Sequence, residues 1–104
     1  MTINIRVVGM ELTDAIRLYT EDKISVLEKY TPEILRADIV IGKETSHHNK
    51  GDIFSCSVTM QIPGDVIKVE RDADDLYKAI DKVKDHLRET LAQHKERRID
   101  ARKK

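Results

Sequence analysis

The sequence predicts an α+β domain with the element order β-α-β-β-β-α. It should fold as a two-layer sandwich in which two helices cover one face of a four-stranded mixed sheet. Four short segments alternate apolar with polar residues, as half-buried strands do, and two longer segments repeat apolar residues at helical spacing. Each strand then has one apolar face and each helix one apolar stripe, so both helices can bury their stripes against the same face of the sheet.

The chain begins with a strand and a helix. Thr2 to Val8 alternates apolar and polar side chains, and Gly9 ends the strand. Thr13 is a good helix N-cap, and apolar residues then follow a helical period as far as Tyr30. The helix is expected to end there, because Pro32 restricts the residue before it to extended conformations.

Three more strands follow the first helix. The alternation predicts them at Ala37 to Ile41, Ile53 to Ile62 and Val66 to Arg71. The polar stretch from Glu44 to Asp52 is expected to be a loop, and a Pro-Gly-Asp turn signal separates the last two strands. Strands one and two, joined through a helix, should be parallel with a right-handed crossover, whereas the later short connections should form antiparallel hairpins.

The last segment, Asp72 to Lys104, predicts an amphipathic helix with segregated charge. Its apolar stripe consists of Leu76, Ala79, Ile80, Val83, Leu87 and Leu91. Acidic residues open the segment and basic residues close it, which suits the helix dipole, but the basic residues continue beyond the stripe. The chain as a whole has 19 basic and 19 acidic residues, so its basic helical end is a candidate for docking on an anionic surface, RNA first. We expect one domain at 1–98 and a basic, disordered tail at 99–104.

The composition excludes several classes of protein. No run approaches the ~20 apolar residues of a membrane span, and the N-terminus lacks the pattern of a secretory signal. Cys56 is the only cysteine, which excludes an internal disulfide and fits a reducing cytoplasm; we expect its side chain to be buried on a strand. No phosphate-binding glycine loop and no catalytic pairing of side chains has support in the sequence. We therefore predict a protein that is not an enzyme and uses no cofactor, small-molecule substrate or membrane.

A metal site is one alternative that the sequence raises. His47 and His48 are adjacent, and Asp52 follows close by. Neighbouring histidines on a flexible loop are poor chelators without a third fixed ligand, so a solvated loop is favoured and no metal is predicted.

Two segments resemble the ribosome hibernation-promoting factor and ribosome-associated inhibitor family. The more specific one is DDLYKAID, from Asp74 to Asp81, which is similar to the signature that opens the second helix of that family. Glu11 to Arg17, followed by Leu27 to Tyr30, resembles the first helix of the family. The resemblance continues to Lys95 and is to the short form of the family, in which no linker or second domain is expected after Lys104.

We expect a cytoplasmic protein, and the resemblance implies that it binds the small ribosomal subunit where messenger and transfer RNAs normally pass. In such proteins basic helices contact ribosomal RNA, and translation is silenced under stress; we expect the protein to be monomeric off the ribosome. Four basic residues occupy positions that the resemblance implies, and five others cluster with them on the second helix. The first group is Arg17, Lys23, Lys29 and Lys95, and the second is Lys82, Lys84, Arg88, Arg97 and Arg98.

At three positions the chain departs from the short proteins of the family. Val26 and His86 stand where lysines are usual, and Glu89 stands where an arginine is usual. From spacing alone, Lys23 is a snorkelling lysine whose stem covers the core, whereas the resemblance puts it in a groove between the helices. Tyr30 and Tyr77 are candidates for stacking on a base, but for Tyr77 packing against the rim of the sheet, with its hydroxyl in water, is favoured. The alternative function is a structured-RNA-binding or small protein-interaction module that does not act on the ribosome.

Overall fold

The fold has the predicted element order. The computed structural model describes the backbone of residues 1–30, 33–45 and 51–103, and the side chains of these residues up to His94. The elements are β1 Thr2–Val8, α1 Asp14–Ser25, a 3₁₀ turn Val26–Lys29, β2 Arg36–Thr45, β3 Asp52–Ile62, β4 Asp65–Ala73 and α2 Leu76–Lys103.

The four strands form one mixed sheet in the order β1-β2-β3-β4. β1 is parallel to β2, and the pairs β2–β3 and β3–β4 are antiparallel, so the predicted strand directions are confirmed. One apolar row shows how the register builds the core: Val58 lies between Ile39 and Val69, and all three side chains are buried. Alternate residues on the opposite face are exposed or half-buried, so both helices cover a single face of the sheet.

The apolar stripe of α2 is the largest contribution of either helix to the core. Its six members are fully or nearly fully buried: Leu76, Ala79, Ile80, Val83, Leu87 and Leu91. The helix packs on β3 and β4, where Cys56 is also buried. Burial raises the pKa of the Cys56 thiol to about 12, as expected for a small core residue and not for a nucleophile.

The first helix is shorter than the sequence predicts. Thr13 is its N-cap, and the Thr13 hydroxyl accepts a hydrogen bond from the Ile16 N–H at 3.2 Å. The α-helix ends at Ser25, and the chain tightens into the 3₁₀ turn, in which the Tyr30 N–H donates to the Leu27 carbonyl at 3.0 Å. This tighter turn satisfies a carbonyl that an ending α-helix leaves without a partner, and it buries Leu27.

The hairpin of β2 and β3 is longer than predicted. The assignment of Glu44 to Asp52 to a loop is wrong at its ends, because Glu44 and Thr45 belong to β2 and Asp52 to β3. Polar contacts extend this end of the hairpin: the Thr45 hydroxyl donates to Asp52 at 3.1 Å, and the Lys43 amine lies 3.5 Å from the same carboxylate. An apolar-polar alternation does not reveal a strand end of this kind. His47 and His48 lie outside the described residues.

The second helix begins later than the sequence predicts. Asp72 and Ala73 belong to β4, and Asp75 caps the helix by accepting hydrogen bonds from the Tyr77 and Lys78 N–H groups. The helical backbone extends to Lys103. The division into a binding domain at 1–98 and a separate basic tail stays a prediction.

A hydrogen bond and an aromatic contact join α1 to α2. The Tyr19 hydroxyl of α1 donates to Asp81 Oδ1 of α2 at 2.7 Å. The rings of Tyr19 and Tyr77 meet edge to face, with centroids 4.7 Å apart and planes at 79°. The hydrogen bond to Asp81, together with burial, raises the pKa of Tyr19 from 10.0 to about 12.

The buried stripe yields a stability prediction. Leu87→Ala should lower the free energy of unfolding by about 2–5 kcal/mol, because the side chain is fully buried and its removal leaves a cavity. Urea denaturation measures this difference. Gln93→Ala on the exposed side of α2 is the control and should change stability by less than about 0.5 kcal/mol. An equally small loss for Leu87→Ala would contradict the packing of this helix on the sheet.

The raised pKa of Tyr19 predicts a pH dependence of stability. The folded protein holds the phenolic proton more tightly than the unfolded chain, so this stabilisation is complete below pH 10 and is lost towards pH 12. Wild type should therefore exceed Tyr19→Phe in free energy of unfolding below pH 10, and the difference should shrink between pH 10 and pH 12.

The matched control for this measurement is Tyr30→Phe, because the Tyr30 hydroxyl makes no hydrogen bond within the described part of the chain. The difference between wild type and that variant should not follow the same pH course. A constant difference for Tyr19→Phe would show that the bond to Asp81 does not form in solution.

Candidate nucleic-acid interface

The packing of α2 gives its exposed surface two different flanks. Residues advance by about 100° around an α-helix, so Tyr77, Asp81, Lys84 and Arg88 follow one another along one side of the buried stripe. Tyr77 and Asp81 both contact Tyr19, which places this flank beside α1. We call the surface formed by Tyr19 and Lys23 of α1 with Tyr77, Asp81, Lys84 and Arg88 of α2 the interhelix seam.

The other flank of α2 lies over β4. The Lys82 amine donates to the backbone carbonyl of Asp72 at 3.2 Å, and Arg71 Nη2 lies 2.8 Å from His86 Nδ1. Lys82 therefore contacts the edge of the sheet and does not lie in the interhelix seam. Glu89 is seven residues further along the helix than Lys82 and so lies within about 20° of it, away from the seam.

Lys23 combines both roles that the sequence suggests for it. Its side chain is 32% exposed, and its amine lies 5.3 Å from the centroid of the Tyr19 ring and 4.0 Å from Asp81 Oδ1. A cation over an aromatic ring and a partly exposed ion pair each contribute about 0.5–1 kcal/mol or less, so both contacts orient the amine without fixing it there. Lys23 is thus placed between the helices with a charge that can still be offered to an anion.

Lys84 and Arg88 extend the positive charge along the seam. The Lys84 side chain is 21% exposed, and its amine lies 3.1 Å from the neighbouring carboxylate of Asp85. Arg88 is exposed and has no hydrogen-bond or ion-pair partner within the described residues. An exposed guanidinium in this state is free to bind a phosphate through two parallel hydrogen bonds.

The remaining predicted residues do not join this group. Arg17 and Lys29 are exposed, and neither has a partner in the part of the chain that the structure describes. Arg17 lies about 120° around α1 from Lys23 and so faces away from α2. The side chains of Lys95, Arg97 and Arg98 lie outside the described residues. The structure thus brings Lys23, Lys84 and Arg88 together, and the RNA-binding role of all nine residues stays a prediction.

Two residues of the seam, Tyr19 and Asp81, are missing from the sequence-based prediction. Tyr19 and Lys23 are four residues apart on α1, and Tyr77 and Asp81 are four apart on α2, so each pair occupies one helix face. Those two spacings are visible in the sequence, but nothing in the sequence shows that the two faces meet. The contact of the Tyr77 ring with Tyr19 of α1 is likewise absent from the sequence-based prediction.

The face of the sheet opposite the helices is polar but not basic. We call it the open face. Its cations are Arg6, Arg36 and Lys68, and its carboxylates are Asp38, Glu44, Glu70 and Asp72. Arg36 Nε lies 2.9 Å from Asp38 Oδ2, and this hydrogen bond lowers the pKa of Asp38. The open face therefore offers an anion no net attraction.

Other kinds of site find little support in the described residues. Within residues 1–30, 33–45 and 51–94, no three His, Cys, Asp or Glu side chains are grouped in a way that could hold a metal ion. The helices of that part of the chain include none that is long and apolar enough to cross a membrane.

Comparison with known sequences gives a family match along nearly the whole chain. The family model described as Sigma 54 modulation protein / S30EA ribosomal protein matches residues 3–99. A ribosome hibernation promoting factor of Azotobacter vinelandii is 30% identical over 100 residues, which are 96% of this chain and 88% of that protein. A ribosome hibernation promotion factor of Deinococcus radiodurans is 32% identical over 94 residues. This alignment covers 90% of the present chain but only 49% of the D. radiodurans protein, so the chain spans about half of that relative.

Solved structures give the same result for the fold. The N-terminal domain of Thermus thermophilus protein Y matches with a TM-score of 0.79 and 29% identity, over 90% of this chain and 99% of that chain. A ribosomal subunit interface protein from Coxiella burnetii matches with a TM-score of 0.78 and 25% identity, over 91% of this chain and 98% of that chain. Because the family model matches residues 3–99 of the 104, the chain belongs to the Sigma 54 modulation protein / S30EA ribosomal protein family.

Proposed function

We propose that this protein is a ribosome hibernation factor that occupies the small ribosomal subunit and silences translation under stress. The observation on which the proposal rests is the family match over residues 3–99, together with relatives named as ribosome hibernation factors. The solved structure from C. burnetii, described as a ribosomal subunit interface protein, supports a ribosomal partner. The protein acts in this proposal by occupying a site, in the cytoplasm and as a monomer off the ribosome, and not by catalysis.

The helical layer is the surface that would meet ribosomal RNA. Lys23, Lys84 and Arg88 offer three cations along one seam, where Asp81 and Asp85 pair with two of them and Arg88 has no partner within the described residues. On the open face, four carboxylates outnumber three cations. Phosphate contacts of this kind give affinity and orientation without reading sequence. Arg17, Lys29 and Lys82, together with Lys95, Arg97 and Arg98, would widen the same footprint along the two helices.

The shared core of the two helices supports this use. Its basic residues stand on two helices whose relative position is set by a common core and by the bond between Tyr19 and Asp81. A preorganised surface loses less entropy on binding than a flexible one. We therefore assign the binding unit to residues 1–98, with the basic residues of 99–104 as an addition to it.

The proposal predicts a difference between two matched triple variants. Lys23→Gln/Lys84→Gln/Arg88→Gln removes three cations from the interhelix seam, and Arg6→Gln/Arg36→Gln/Lys68→Gln removes three from the open face. Each lost phosphate contact should flatten the plot of log K against log salt by about 0.7–0.9. The seam variant should bind small subunits more weakly, with a slope smaller by about 2–3, while the open-face variant should bind like wild type.

Sedimentation of the purified variants with small subunits in sucrose gradients at several salt concentrations measures both quantities. Melting temperatures within a few degrees of wild type show that the fold is intact. Equal binding by wild type and the seam variant would reject the proposed interface. Failure of the wild-type protein to sediment with ribosomes at low salt, with binding to other structured RNA, would favour the alternative function.

Glu89, which stands where the short proteins of the family usually have an arginine, gives a second prediction. The side chain is exposed and has no ion-pair partner within the described residues. Glu89→Arg should tighten binding and steepen its salt dependence by about 0.7–0.9, because a repelled phosphate becomes an attracted one. Glu70→Arg makes the same charge change on the open face and should leave binding unchanged. Weaker or unaltered binding by Glu89→Arg would limit the footprint to the interhelix seam.

A further inference from the structure

The Tyr77 ring is the most exposed aromatic side chain in the interhelix seam. It is 41% exposed, although its neighbours Leu76, Ala79 and Ile80 are buried. The first turn of α2 places the ring on the flank beside α1, and its backbone N–H is held by the Asp75 cap at 2.7 Å. Core packing therefore accounts for only part of this ring, and the rest is open to a partner.

The orientation of the ring is fixed from the side of α1. An edge-to-face contact with Tyr19 covers at most one face of the Tyr77 ring, so at least one face is not covered by Tyr19. Tyr19 is in turn held by its hydrogen bond to Asp81, and the Lys23 amine lies over the Tyr19 ring. Tyr19, which is itself held by Asp81 and Lys23, therefore helps to hold the exposed Tyr77 ring in place.

The charge of the surface around the Tyr77 ring changes along the axis of α2. At the start of α2, the Asp75 carboxylate accepts from the Tyr77 and Lys78 N–H groups as the helix cap, and the carboxylate of Asp74 lies 3.5 Å from the Lys78 amine. Towards the end of α2, Asp81 comes next on the same flank, where it pairs with Lys23 at 4.0 Å. Lys84 and Arg88 then follow, about 10 Å and about 16 Å from Tyr77 along the axis. A polyanion that passes over the ring is repelled at the first end and attracted at the second. Its phosphates must therefore run towards Lys84 and Arg88.

We propose that Tyr77 stacks on an unpaired base of the bound RNA, while Lys23 and Lys84 contact phosphates that follow this base towards the end of α2. A base inside a duplex is already stacked on its neighbours, so only an unpaired base can offer its face to the ring. This inference rests on the function proposed above and adds the chemistry of one nucleotide subsite. It assigns Tyr77 to direct contact with RNA, and Tyr19 and Asp81 to the positioning of Tyr77 and Lys23.

The first test compares two substitutions of Tyr77 in binding to small ribosomal subunits. Tyr77→Leu keeps an apolar side chain but removes the aromatic face, and it should weaken binding by roughly 5- to 150-fold. Tyr77→Phe keeps the ring and should bind within about twofold of wild type, because stacking does not need the hydroxyl. Equal binding by Tyr77→Leu and wild type would overturn the proposal.

A second measurement follows the Tyr77 ring directly, in a variant that keeps an aromatic ring at position 19 and loses only the hydroxyl there. The chain has no Trp and three Tyr, so Tyr19→Phe/Tyr30→Phe leaves Tyr77 as its only tyrosine fluorophore. A single-stranded oligoribonucleotide of about ten nucleotides should quench this fluorescence as it binds, since base stacking brings the ring into contact with the base. A hairpin duplex of the same composition should quench less at equal occupancy.

The outcomes separate this inference from the proposed function. Loss of binding in the Lys23, Lys84 and Arg88 triple variant, with Tyr77→Leu unchanged, would retain the basic interface and reject the stacked base. Weaker ribosome binding by Tyr77→Leu with no quenching by single-stranded RNA would indicate contact with a ribosomal protein, and it would also reject stacking. Ribosome binding equal to wild type by both the triple variant and Tyr77→Leu would reject the interhelix seam as the interface.

Discussion

The position of every candidate functional residue on α2 depends on one packing interaction, the burial of the α2 stripe against β3 and β4. Leu76, Ile80, Val83, Leu87 and Leu91 cannot be exposed without loss of the largest apolar contribution from either helix. Once this stripe is buried, the rotation of α2 about its axis is fixed. Lys84 and Arg88 must then face α1, Lys82 must face the edge of the sheet, and Glu89 must lie away from the seam.

Because the rotation of α2 is fixed, its contact with α1 brings together defined residues of the two helices. Tyr19 and Lys23 present one face of α1, and Tyr77 and Asp81 present one face of α2. Asp81 accepts a hydrogen bond from Tyr19 and lies near the Lys23 amine, so a single carboxylate positions an aromatic ring and a cation. Its negative charge opposes an RNA ligand, but the pairing with Lys23 reduces that effect while the geometry is retained.

The elements and the core could be predicted from the sequence because each has its own periodic signal. The alternation in β3 and the stripe of α2 identify their buried faces correctly. The strand ends at Thr45 and Asp52 give no such signal, because they are held by polar pairs and not by burial. The roles of Tyr19 and Asp81 are hidden for a different reason: 62 residues separate them, and no local pattern records a contact over that distance. Lys23 could be identified, but its place between the helices required the resemblance or the structure.

The central claim is that the helical layer, and not the open face of the sheet, contacts ribosomal RNA on the small subunit. A photo-crosslinking side chain at position 84, in the interhelix seam, or at position 57, on the open face, tests this claim most directly. After irradiation with purified small subunits, primer extension along the RNA maps the attachment points. We expect crosslinks to ribosomal RNA from position 84 and none from position 57. Crosslinks from position 57 alone would contradict the claim and would show that the open face of the sheet contacts the RNA.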